Sequence, residues 1–193
     1  RPRRGRRRKT GDPLACIARN PNLRADLQRP RRAAESGGQG LGMAHLKNGR
    51  DLKVGRHEPP EIPAEVAAAF AAFPERVRLR LLEVRALIFA TAAGTSGVGP
   101  LTETLKWGEP AYLTLATGSG STIRLGRPKS PQGMGAVLFN CRTTLVETFH
   151  AHFAQTLSYQ GNRAILLDPS VPLPAEPLAI CLAMALAYHR QRP

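Results

Sequence analysis

The chain has 193 residues, a formal charge of +14, three cysteines and a single tryptophan. That length is enough for one sizeable domain with a real core, and no run reaches the roughly 20 apolar residues needed to span a bilayer. Cys16, Cys141 and Cys181 are an odd number without paired spacing, which fits a reducing compartment and no disulfide framework.

The charge is unevenly placed. Residues 1–60 carry 16 Lys/Arg against 5 Asp/Glu, a net of +11, while residues 61–193 carry 12 against 9, a net of +3. The segment 1–60 opens with RPRRGRRRK and continues polar, Gly- and Pro-rich, with no apolar period. It is therefore expected to be mostly disordered. One reading makes it an arm for nucleic acid, because a block of positive charge neutralises phosphates and releases counterions. Without interleaved aromatics for stacking, such binding would be non-specific and salt-sensitive. A targeting segment is a second reading, against which sparse Ser and the presence of acids count. A third places residues 1–42 outside the natural protein, since Met43 is the first methionine and precedes the first helix signal by about 20 residues.

From Pro63 the pattern becomes regular. Val66, Phe70 and Phe73 share one face at i, i+4 and i+7, so a helix is expected from Pro63 to Pro74. A second helix over about 75–91 carries two apolar stripes, Val77, Leu81, Val84, Ile88 and Leu79, Leu82, Ala86, Phe89. Two apolar sides predict a helix sandwiched between neighbours, here the first helix and a sheet. Residues 91–100 read as a loop.

Strands follow. Leu105 and Trp107 alternate with Thr104 and Lys106, the period of a half-buried strand over 103–107. Gly108 and Pro110 break the run, and extended sequence resumes at 111–116. TGSGS at 117–121 reads as a hairpin turn, 122–125 as a third strand, and 126–135 as a breaker-rich loop. Ala136 to Phe139 is a continuous apolar strand. A helix is expected over 145–157 on the face Leu145, Phe149, Phe153, Leu157, with Thr144 and Glu147 as a capping box. Gly161-Asn162 marks a turn, Ala164 to Leu167 a last strand, and 177–189 a final helix with Glu176 at its start and His189 and Arg190 at its end.

The segments ETLKWGEPAYLT (103–114), GSTIRLGRPK (120–129), GAVLFNCRTTLVETF (135–149), LSYQGNRAILLD (157–168) and PLAICLAMALAYH (177–189) together resemble the bacterial YdhG-like, or frataxin-like, domains, a family of poorly defined function. The resemblance runs from about Pro63 to His189 and leaves residues 1–60 outside it. It implies a cytoplasmic α+β domain over 61–190. One member is described as an intracellular iron chaperone, which makes iron the cofactor the resemblance suggests. Combined with the periodicities, the expected architecture is an antiparallel sheet of about five strands covered by the N-terminal helix pair and the two later helices.

Chemistry-bearing residues are sparse. The acids of the domain are scattered, whereas a hard-cation site wants clustered oxygens. His150 and His152 lie about 200° apart on a helix. Glu147 and His150 share a face at i, i+3, the spacing of half a di-iron carboxylate site, or equally of a solvated pair. Cys141, before a helix start and beside Arg142, is a conceivable thiolate, although lone cysteines are more often structural. No nucleophile elbow, dinucleotide fingerprint or Walker lysine is present. The remaining candidate is a ligand pocket formed by Lys106, Trp107, Glu109, Tyr112, Arg124 and Arg163, aromatic surface beside mixed charge. The competing reading makes Trp107 and Tyr112 core aromatics and the cations a solvated face. The expected function is a non-enzymatic domain that binds a small ligand, a metal or a protein partner, with non-specific nucleic-acid association through residues 1–60 as the alternative.

Overall fold

The computed structural model describes residues 58–129 and 131–191. The expectations placed on residues 1–57, the basic arm and the natural start at Met43, lie outside the described residues. Helix α1 spans Ala64–Ala71 and α2 Glu75–Gly94, each entered through a proline, Pro63 and Pro74, whose missing N–H costs nothing there. Six strands follow in place of the five expected: β1 Thr102–Lys106, β2 Glu109–Leu113, β3 Ile123–Gly126, β4 Gly135–Leu138, β5 Ser158–Gln160 and β6 Ala164–Leu167. Helix α3, Leu145–Phe153, separates β4 from β5, and α4, Ala175–Leu186, closes the domain before a 3-10 turn at Tyr188–Gln191. The additional strand, β5, is only three residues long and alternates too briefly to register as a period.

All strand pairs are antiparallel, in the order β1-β2-β3-β4-β6-β5. The register divides the residues between two faces. Tyr112 pairs with Glu103 and Ile123, Leu125 with Val137, and Val137 with Ile165. These residues, Glu103 apart, join the helices in one apolar core with Leu81, Ile88, Phe149 and Leu182. The alternate row, Ala111, Arg124, Leu138 and Ala164, points to the opposite face, where Ala136, Leu138 and Ala164 form a small separate cluster. Successive strand residues face opposite ways, so one residue of register decides which side a group serves.

On α2 the stripe Val77, Leu81, Val84, Ile88 is at most 1% exposed. The second stripe is only partly covered, and Leu79 is 59% exposed. The helix packs chiefly on α4 and β4, with only slight contact to α1, which lies against β1 and β2. The sheet is thus one of the two neighbours the stripes suggested, and α4 takes the place expected of α1. Arg80 and Arg85 on this helix are buried. Arg85 makes a two-pronged bond to Glu103, both N–O distances being 2.7 Å, and donates to the Pro60 carbonyl. Its guanidinium lies 4.9 Å from the Phe89 ring centroid. Burial works against the Arg85 charge, but the Glu103 hydrogen bond and charge outweigh it and hold its pKa above the ordinary arginine value.

Two local expectations are corrected. Thr144 makes no side-chain cap, and its carbonyl instead accepts the Thr148 hydroxyl at 2.9 Å. The run at 117–121 is not a hairpin turn. It lies in a long β2–β3 connection that covers the end of α4. Ser119 Oγ donates to Leu186 O at 2.9 Å, Ser121 N to Ala185 O at 2.9 Å, and His189 N to Ser119 O at 2.8 Å. The last carbonyls of α4, which lack partners within the helix, are thus satisfied from a distant loop.

Candidate functional site: a cleft at the hairpin end of the sheet

Residues 102–113 fold as a hairpin with a two-residue turn. Lys106 pairs with Glu109, leaving Trp107 and Gly108 as the turn, with φ of 54° and 76°. Positive φ at both central residues is the geometry whose twist matches the flanking strands. Glycine takes it without cost, whereas a bulky residue such as Trp107 is strained there. Pro110 falls inside β2, opposite Leu105, and the ladder to β3 begins only at Ala111. A proline has no N–H to give that ladder.

This turn overturns the reading of Trp107 as a half-buried strand residue, since it is 84% exposed. Its indole lies against Arg124, whose guanidinium carbon is 4.6 Å from the ring centroid. Arg124 also forms an ion pair with Glu109. Gly126 makes this possible, because a Cβ there would stand 2.6 Å from Glu109 Oε1. Burial raises the Glu109 pKa above the ordinary glutamate range, and the charge and hydrogen bond of Arg124 only partly offset it.

Four of the six expected pocket residues, Lys106, Trp107, Glu109 and Arg124, lie at or beside the hairpin, but only Glu109 lines the cleft there. The other two do not. Tyr112 is fully buried on the helix-covered face, edge-on to Phe89 at 5.8 Å. Burial, then the Glu103 charge, drive its pKa above the ordinary phenol value. Arg163 lies in the turn just before β6, where it donates to Cys141 Sγ at 3.5 Å. Cys141 is exposed, and Cys181 is core, its thiol pushed by burial up to about 12. Glu147 and His150 are exposed on α3, and the His150 ring lies tilted against Tyr159, centroids 5.2 Å apart. No group of three or more potential metal ligands occurs among the described residues.

Beside the Glu109–Arg124 pair opens a cleft of about 650 Å³. The end of α1, the hairpin and the β3–β4 connection form its walls. Phe73, Pro74, Pro128 and Met134 supply apolar surface, and Glu109, Arg127, Lys129 and Gln132 supply polar groups. Arg127 and Lys129 are both exposed, and neither makes an ion pair among the described residues. Sequence reasoning passed over these two cations because they sit in a breaker-rich loop. The available signal was Arg-Pro-Lys directly after a strand, with the proline holding the two charges on a stiff backbone. No family model matches the chain, and no curated protein or solved structure shows significant similarity to it.

Proposed function

We propose that this is a non-enzymatic binding domain of the YdhG-like kind, and that its cleft beside Glu109 receives a small ligand. The observation that carries the reading is the cleft itself. Its volume of about 650 Å³ falls in the range of small-molecule pockets, and it combines apolar walls with a few polar groups. The metal version of the function has less support, since the acids of the domain are dispersed and Glu147 and His150 stand alone on a helix surface. No helix among the described residues is long and apolar enough to cross a membrane, and the free thiols Cys141 and Cys181 favour a reducing, cytoplasmic setting.

A thermal-shift screen over metal ions, including ferrous iron, and small organic compounds tests the proposal. A ligand of the native cleft raises the melting temperature in a concentration-dependent way. Ala72→Trp, exposed just after α1 on the cleft wall, adds an indole to that wall and is expected to abolish that rise. No stabilising compound, or a rise that survives A72W, would defeat the proposal. A second reading, nucleic-acid association, rests on the net +11 of residues 1–60. Gel shifts with and without that segment test it, and binding that is indifferent to salt or to truncation would rule it out.

A further inference from the structure

The geometry points to an organic anion as the ligand: one carboxylate or phosphate head held by Arg127 and Lys129, with an apolar body against Phe73, Pro74 and Met134. This rests on the reading of the cleft as a ligand site and adds the ligand's chemistry.

Charge decides the head group. Glu109 is the acid on the cleft wall, and its carboxylate is turned to Arg124 and neutralised by it. Arg127 and Lys129 have no such partner among the described residues. The cleft therefore presents two uncompensated cations, one a planar fork and one a mobile point charge, which together suit carboxylate or phosphate oxygens. Pro74 also borders the cleft and immediately precedes the 20-residue helix α2. The positive end of that helix dipole thus begins next to the cleft rim, partly offset by Glu75 in its first turn.

Size and surface decide the body. A bare inorganic anion would leave most of about 650 Å³ filled with water. Half-buried Phe73, Pro128 and Met134 gain only from an apolar group laid against them. Methionine adapts its shape to an irregular partner.

The test is calorimetric titration of the full chain with 2-naphthoate, its neutral isostere 2-naphthamide, and inorganic phosphate. Naphthoate is expected to bind about tenfold or more tightly than the amide at low salt, with the gap narrowing at high salt as these exposed cations are screened. Arg127→Gln and Lys129→Gln should each weaken naphthoate several-fold and leave the amide unchanged, and circular dichroism should confirm the fold of these exposed-site variants. Equal affinity for acid and amide would overturn the anionic head while leaving a ligand cleft standing. Phosphate binding as tightly as naphthoate would overturn the apolar body. Naphthoate binding that persists in A72W or ignores both cation substitutions would overturn the site, and failure of naphthoate to bind at all would overturn the inference.

Discussion

Gly120→Ala strikes the contact between the β2–β3 connection and the end of α4. A Cβ at Gly120 would lie 2.4 Å from the Leu186 carbonyl oxygen and 2.6 Å from its Cα. Ordinary contact begins at 3.4 Å, so the loop and the helix end must separate by close to an ångström. Both partners are backbone, so neither can swing aside as a side chain would. Overpacking of this kind costs about 1–3 kcal/mol. Separation also stretches the bonds from Ser119 Oγ and Ser121 N at 2.9 Å and from His189 N at 2.8 Å, each worth roughly 1 kcal/mol. With some of these retained, the expected loss is about 3 kcal/mol, or a melting temperature lower by roughly 10 °C. Urea denaturation followed by circular dichroism measures it. Gly118→Ala is the control: φ is 62° but nothing lies within 4 Å of the added carbon, so only backbone strain of about 1 kcal/mol applies. If G120A is within about 0.5 kcal/mol of the parent, or is destabilised no more than G118A, the capping argument is wrong.

Glu103→Gln leaves the buried Arg85 charge without its two-pronged partner and should cost about 3–5 kcal/mol in the same assay. A loss under about 1 kcal/mol would mean that water reaches the pair. The sole tryptophan gives a direct spectroscopic check on the hairpin. With the indole 84% exposed, its emission should be that of a water-exposed indole and readily quenched by acrylamide, and a shielded, blue-shifted emission would contradict the turn geometry. Glu109 should titrate above the ordinary glutamate range by carbon-13 NMR, and Arg124→Gln, which removes both influences that lower it, should raise it further. Because its folded pKa is raised, its contribution to stability is full below the unfolded glutamate value and falls away as pH rises through the folded one. The parent should therefore lose stability relative to Glu109→Gln across that window, and a parallel pH dependence of the two proteins would remove the shift.

Much of the α+β architecture was legible because burial imposes strong periods. Val77, Leu81, Val84 and Ile88 recur at helical spacing, and the apolar run at 164–167 corresponds to β6. Strand β5 escaped notice because three residues cannot establish a period. Half-burial of Trp107 was misjudged for another reason: the alternation with Leu105 continues through Lys106, and nothing local announces that a tryptophan will take a left-handed turn position. Tyr112 and Arg124 look equivalent in the sequence as polar-tipped groups on adjacent strands. Only the register, with Tyr112 opposite Ile123 and Arg124 opposite Ala111, sends one to the core and the other to the hairpin side. Arg127 and Lys129 became informative only when the fold brought Phe73, from the turn between α1 and α2 some 50 residues earlier, against the same cleft.

The margins of the sheet bear on self-association. An open strand offers its unpaired peptide groups to any passing chain, and long flat margins seed aggregates. Here one margin, β5, is three residues long, too short a template for stable docking. The other, β1, turns the carboxylate of Glu103 inward, where Arg85 from the same molecule answers it. A foreign strand mimicking β1 would need to bring an acid to that position or strand the arginine in the interior. The buried ion pair thus disfavours any other segment in the place of β1.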